Sequence, residues 1–199
     1  MRSSAPVLTG QFRDFCADLE GLLQAARREN PPPAEELRTV AVDLIGKRVA
    51  EVARAERLAP DREAEFQYAL AAFADECFLE FEWHGREFWR SNLIETRLFG
   101  SRAAGQRIFD RIDELLATET PARAGMAALY LLMLGLGFRG RFRTSSGAAE
   151  IERRRVALWA WLDRKSPGLL MDGRRIAPRA YGHTVEEGVL MQLPTPARW

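Results

Sequence analysis

The stretch AALYLLMLGLGF, Ala127 to Phe138, is the longest apolar run in this chain and decides most about how it folds. A membrane-spanning helix needs about 20 such residues, and this run is shorter. It therefore predicts a central helix, apolar on most faces and buried among other helices. Such a helix requires amphipathic partners, and the remaining sequence supplies them. Apolar residues recur at spacings of three and four through Phe12, Phe15, Leu19, Leu22 and Leu23. The same holds for Leu37, Val40, Leu44, Ile45 and Val49, and for Phe66, Leu70, Phe73, Cys77 and Phe81. A further stripe runs through Ala104, Ile108, Ile112 and Leu115, and a last one through Val156, Trp159 and Leu162.

Punctuation between these stripes sets the boundaries. Residues 1–8 read as a loose leader, and the first helix runs from Thr9 to about Arg28. Asn30-Pro31-Pro32-Pro33 is a stiff connector before a second helix over Ala34–Leu58. Asp61 is a candidate N-cap for the third helix. His84-Gly85 precedes a shorter helix over Phe88–Phe99, which Gly100 ends. Ser101 is placed to cap the next helix, Thr120-Pro121 opens the central one, and Ala148 to about Arg164 forms the last. With no series of alternating strands, the fold class is all-α with about seven helices. Residues 1–165 form the helical domain. Residues 166–199 read as a mostly irregular C-terminal segment packed over the bundle, with MDGR, Met171–Arg174, as a turn.

Composition narrows the function. Lys plus Arg (29) nearly cancels Asp plus Glu (28), so no global pull toward nucleic acid or anionic lipid exists. The two cysteines, Cys16 and Cys77, sit at helical spacing and read as buried free thiols of a reducing compartment. The first residues lack the apolar segment of a signal peptide, so the chain as given reads as soluble and cytoplasmic. Only two histidines occur, His84 and His183, and neither a GxSxG elbow nor an HExxH pair accompanies them. No catalytic residue, cofactor site or metal site is predicted. A hydrolase would need His84 to converge with Asp75 or Glu76.

The most unusual local pattern is LGLGFRGRFR, Leu134–Arg143. Gly135, Gly137 and Gly140 match GxGxxG letter by letter, but they follow a helix rather than a strand, so the dinucleotide reading fails. Phe138, Arg139, Arg141, Phe142 and Arg143 interleave aromatic and basic residues as a nucleic-acid binder would. A helical module using them with Arg153, Arg154 and Arg155 is the alternative of a different class. The structural reading is a helix end. Glycine permits a left-handed turn, and arginines near the last carbonyls favour the negative end of the dipole. Gly135 and Gly137 then permit close helix packing, and one arginine reaches the acids of the third helix.

Those acids, Asp75 and Glu76, are adjacent on that helix and diverge by about 100°, so they cannot work as a converging pair. One should face the core edge and take an arginine or a helix N-terminus as partner. Five tryptophans are many for this length. Trp159 and Trp161 face different sides of one helix, so at least one is partly exposed.

Over about residues 9–165, and most specifically from Tyr68 to Arg143, the chain resembles the DotU/TssL family, inner-membrane components of type VI secretion and of the related type IVB (Dot/Icm) systems. The marks occur in order: Ala-Asp-Glu at Ala74–Glu76, Trp83 before a glycine, Trp89, LFGSRAAGQRIF from Leu98 to Phe109, and LYLLMLGLGFRGRFR from Leu129 to Arg143. Gly100, Gly105, Gly137, Arg139, Gly140 and Arg141 belong to this signature. The resemblance implies a cytoplasmic domain of two small helical bundles in one hook-shaped unit. It also implies a scaffold without catalytic activity at the cytoplasmic face of the inner membrane. Its implied partners are an IcmF/TssM-like protein and a TssK-like baseplate protein, with dimerisation through a membrane anchor. Asp75 and Glu76 match the family's acidic pair and are carried over as candidate interface residues. The family ends in a transmembrane helix, whereas this chain stops at LPTPARW, Leu193–Trp199. Either the chain is an engineered soluble fragment of a longer protein or this member lacks its own anchor, and the first reading is favoured.

Overall fold

The computed structural model describes residues 5–56, 58–118, 120–143 and 147–165. These form eight α-helices: α1 (Ala5–Ala26), α2 (Ala34–Ala55), α3 (Pro60–Glu80), α4 (Arg86–Ser91), α5 (Ile94–Phe99), α6 (Ala104–Leu116), α7 (Ala124–Gly135) and α8 (Gly147–Lys165). Two 3₁₀ turns, Pro121–Arg123 and Gly140–Phe142, flank α7. The all-α class follows the apolar periodicities. The C-terminal segment beyond residue 165, with its expected turn at Met171–Arg174, lies outside the described residues.

Helix α3 is the hub. It packs against α1, α2, α4, α5, α6 and α7. Its residues from Phe66 to Phe78 are buried on nearly every face, because Ala69, Ala71, Ala72 and Ala74 let neighbouring helices approach. Helix α7 is the second buried element, touching α1, α8, α3 and α6. The wider segment Pro121–Phe142 is apolar enough to cross a membrane by composition. Its regular helix is only 12 residues long, however, and most of the segment is buried inside the bundle.

Several expectations need correction. The first helix begins at Ala5, not Thr9: Ala5 and Leu8 pack over Gly125 of α7, where an added Cβ would sit 2.6 Å from a Leu8 methyl. The expected helix over Phe88–Phe99 is two short helices, α4 and α5. Asp61 does not cap α3; Ala59 holds the N-cap position, with Pro60 starting the helix. Val40, Val156 and Trp159 point outward. In α2 and α8 the inward positions include Arg48 and Arg154 instead. Arg154 is acceptable there because Asp113 receives two of its N–H groups at 2.8 and 3.0 Å. The Phe109 and Phe142 rings also lie 5.6 and 5.1 Å from its guanidinium. Periodicity arguments assign arginine to solvent and so rotate both stripes. Trp161 is buried and Trp159 is half exposed, as two residues on one helix require.

The end of α7 shows why the glycine-rich stretch has its composition. Gly137 has φ +100°, its N–H meets the Leu134 carbonyl at 3.2 Å, and the Phe138 N–H meets the Met133 carbonyl at 3.0 Å. That is a Schellman stop, with Phe138 and Met133 both buried against it. Gly135 and Gly137 both face open space, so neither is a packing glycine, and Gly137 serves the turn alone. Gly140, at φ +47°, lies against Gly105 of α6; an added Cβ would be 2.6 Å from the Gly105 carbonyl oxygen. Backbone meets backbone there: Gly140 has no room for a side chain, and a Cβ on Gly105 would press on the Gly140–Arg141 backbone at 3.2 Å.

Gly140→Ala is therefore expected to lower stability by about 2–4 kcal/mol, from the left-handed φ and the clash together. Gly46→Ala, in open space within α2, should raise it by roughly 0.5–1 kcal/mol. Urea denaturation of both variants checks this, and equal effects would contradict the close-contact account.

Candidate functional site: buried carboxylates holding chain turns

The carboxylates of α3 are distributed along the helix so that each meets a different part of the chain. Asp75 and Glu76 are both buried, 5 % and 8 % exposed. Their divergence on the helix sends them to separate partners. Asp75 Oδ1 accepts from the Trp89 indole N–H and the Ile94 amide, and Oδ2 from the Glu95 amide, all at 2.9 Å. Ile94 and Glu95 open α5, so Asp75 is that helix's N-terminal cap, reaching in from another helix. This explains the break at Asn92-Leu93. Asn92 closes α4 through its own N–H to the Trp89 carbonyl at 3.0 Å, and Asp75 starts a new helix just beyond.

Trp89 is fully buried and stacks on Phe78 with ring centres 3.8 Å apart. Trp83 caps the C-terminal end of α3, its indole N–H reaching the Phe78 carbonyl at 2.9 Å. Burial pushes the Asp75 carboxyl up to about 6, against the lowering effect of the hydrogen bonds from the Glu95 and Ile94 amides and from Trp89.

The next link is Glu95, which the sequence reading missed. It is 2 % exposed. Its Oε1 accepts from Tyr68 OH at 2.7 Å, Ser101 Oγ at 2.7 Å and the Ala103 amide at 2.8 Å. Oε2 accepts from the Ala104 amide at 3.1 Å. Glu95 thus caps α6, the role expected of Ser101, whose hydroxyl instead supports Glu95. Burial raises the Glu95 carboxyl, but hydrogen bonds from Ser101, Tyr68 and the two amides outweigh it and hold the group below its ordinary value. Burial and the Glu95 contact push the Tyr68 phenol up to about 12, so it remains a donor. No local pattern announces Glu95. Its only visible mark is a carboxylate in the first turn of a short helix.

Glu76 takes the other direction. Its carboxylate accepts from the Arg139 amide at 2.8 Å and the Gly140 amide at 3.1 Å, and pairs with the Arg143 guanidinium at 3.3 Å. Arg139 and Arg143 also approach Glu80 at 3.9 and 3.7 Å. Arg141 pairs with Asp110 at 3.2 Å and lies 4.8 Å from the Phe142 ring centre. Arg139 and Arg143 thus reach acids of the third helix, whereas Arg141 reaches Asp110 of α6. Because Gly140 rests on Gly105, the links close into a ring: Asp75, the start of α5, Glu95, the start of α6, Gly105, Gly140 and Glu76. Gly100 makes the turn inside it at φ +64°. A fourth buried carboxylate, Glu65, accepts from Arg123 at 2.7 Å and Tyr130 OH at 2.8 Å, tying the start of α7 to α3.

The oxygens of the acidic pair are thus turned to donors within the fold. The hydrogen bonds of Asp75 and Glu76 described above do not involve His84, which lies in an open surface recess of roughly 540 Å³ with Arg27, Asn30 and Trp83. His183 lies outside the described residues. Among the described residues no group of three or more His, Cys, Asp or Glu side chains is placed to hold a metal. Burial pushes the thiols of Cys16 and Cys77 up to about 12, and both are free. All six arginines of the nucleic-acid alternative face carboxylates: besides those above, Arg153 and Arg154 meet Glu150, and Arg155 meets Glu152.

Comparison with known proteins agrees with the resemblance seen in the sequence. A family model described as "Type VI secretion system protein DotU" matches residues 11–198. No curated protein matches the chain. Among solved structures, TssL from Vibrio cholerae is 22 % identical with a TM-score of 0.65, over 77 % of this chain and 95 % of that one. The cytoplasmic domain of TssL from Acinetobacter baumannii is 20 % identical with a TM-score of 0.60, over 74 % and 96 %. SciP/TssL from enteroaggregative Escherichia coli 042 is 22 % identical with a TM-score of 0.62, over 78 % and 87 %. These likenesses establish the shared all-α fold.

Asp75→Ala leaves three buried donors without a partner and is expected to destabilise by about 3 kcal/mol. The pH dependence has a definite sign. With its folded value raised from 3.8 to about 6, Asp75 binds a proton more tightly folded than unfolded. Its contribution to stability therefore grows as pH falls through that window, by roughly 3 kcal/mol in full. The stability difference between wild type and Asp75→Asn should shift in favour of wild type from pH 7 to pH 4. A difference flat across that range would contradict the assignment.

Proposed function

Because the chain belongs to the DotU family of type VI secretion system proteins, we propose that it is a non-enzymatic scaffold subunit of the secretion membrane complex. In this reading it joins an IcmF/TssM-like inner-membrane protein to a TssK-like baseplate protein at the cytoplasmic face of the inner membrane. The observation that carries the proposal is the family match across residues 11–198. In this reading membrane attachment and homodimerisation run through a transmembrane anchor, as the family resemblance implies. The ring of buried carboxylates supports a scaffold rather than a catalyst. Asp75 and Glu76 spend their oxygens on backbone amides and on Trp89 and Arg143.

Asp75 and Glu76 then govern partner binding by placement. Asp75 fixes α5, and Glu76 fixes the 3₁₀ turn at Gly140, so a partner reads the surfaces those elements carry. The pairing of Arg139, Arg141, Arg143 and Arg153–Arg155 with carboxylates supports a protein partner over nucleic acid.

Co-expression of the full chain with the IcmF/TssM-like and TssK-like proteins of the same gene cluster, followed by affinity purification from membranes, tests this. Both proteins should co-purify, and recovery of neither would defeat the linking role. Glu76→Gln should lower thermal stability and partner recovery together. A variant that keeps full stability yet loses its partners would place the carboxylate itself at the interface.

A further inference from the structure

Charge is not spread evenly along the chain. Residues 1–85 hold 10 Lys plus Arg against 16 Asp plus Glu, whereas residues 86–199 hold 19 against 12. Within residues 86–111 there are six arginines and three acids, Glu87, Glu95 and Asp110. The structure commits all three acids elsewhere. Glu95 is buried and bonded to four donors. Glu87 pairs with Arg90, and Asp110 accepts from Arg141 and Gln106.

Arg97, Arg102 and Arg107 are left around the corner joining α5 to α6. All three are exposed, and none forms an ion pair with a described residue. They are nonetheless held. Arg102 donates to the Arg90 carbonyl at 2.6 Å, Arg97 approaches Thr39 Oγ1 at 3.5 Å, and Arg107 lies 5.4 Å from the Tyr68 ring centre. Tyr68 is itself fixed by Glu95 and by an edge contact with Phe99 at 5.0 Å.

We infer that this α5–α6 corner is a docking surface for an acidic, Asp/Glu-rich segment of a partner protein. Exposed guanidiniums that already rest on carbonyls and a ring lose less freedom on binding than loose lysines would, and their planar donors suit carboxylates. Three free cations fall short of the roughly four to eight that a lipid-binding basic cluster brings together. The corner rests on Glu95 and so on Asp75, which gives the buried acids an outward effect independent of the secretion-system reading.

The test uses the full chain, a fluorescein-labelled oligo-glutamate peptide and fluorescence anisotropy at low salt. The Arg97→Gln/Arg102→Gln/Arg107→Gln variant should bind about tenfold more weakly than wild type. A control, Arg153→Gln/Arg155→Gln/Arg164→Gln, carries the same change in net charge on exposed positions of α8 and should stay within about twofold of wild type. Equal losses in both variants would reduce the effect to net charge and overturn the inference. So would unchanged binding by the first variant. Vesicles containing phosphatidylglycerol and a single-stranded DNA oligomer are run in parallel. If either binds more tightly than the peptide through the same three arginines, the corner belongs to lipid or nucleic acid and the proposal fails. Circular dichroism confirms that both variants are folded. Should the triple variant unfold, Arg97→Gln/Arg102→Gln, which leaves the Tyr68 contact intact, is measured in its place, and wild-type affinity there counts against the inference.

Discussion

A carboxylate buried beside a helix start is the interaction on which this architecture depends. Asp75 could not stay in the core without donors, and the first amides of α5 could not stay there without an acceptor. Each offsets part of the other's penalty. Glu95 and Glu76 repeat the arrangement at α6 and at the turn after α7. The bundle is therefore specified by polar positions as much as by apolar ones. Hydrophobic burial makes α3 the centre, and the acids on it decide where neighbouring segments begin.

This division explains what was legible in the sequence. Helices α1, α2, α3, α6 and α7 follow from apolar residues at spacings of three and four, and Gly100 and Gly137 mark stops that are where glycine predicts them. That Asp75 and Glu76 diverge, and that the arginines after α7 seek acids, also follows from helix geometry and charge. The capping relations do not. Glu95 acts on Ala103 and Ala104 eight and nine residues away, and Asp75 acts across nineteen and twenty. A capping rule looks only three residues ahead, so it selected Asp61 and Ser101, which carry suitable side chains at suitable local positions. At α6 a tertiary acceptor, Glu95, takes the place of the local cap, whereas α3 starts at Pro60 behind Ala59 with no side-chain cap.

Buried arginines account for the other errors. Arg48 and Arg154 take inward positions because Asp18 and Asp113 neutralise them and rings or neighbouring helices cover their stems. A hydropathy pattern has no entry for a paired arginine, so the predicted faces of α2 and α8 rotate toward Val40 and Trp159. The family signature has a physical content that periodicity lacks. Trp89 supplies the donor that Asp75 needs, Trp83 closes α3, and Gly105 and Gly140 permit two backbones to touch.

The ring also orders events in time. Its links span very different lengths of chain: eight and nine residues for Glu95, nineteen and twenty for Asp75, and sixty-three and sixty-four for Glu76. Closing the longest loop costs about 2 kcal/mol more chain entropy than closing the shortest. A chain emerging from its N-terminus can set the α5–α6 corner on α3 while α7 is still unmade. Glu76 then waits, with its place in the ring half built, until Gly140 arrives to lock α6 against α3. The two glycines that let the backbones touch are thus the latch of the assembly, and the acidic pair divides into one residue that acts early and one that acts last.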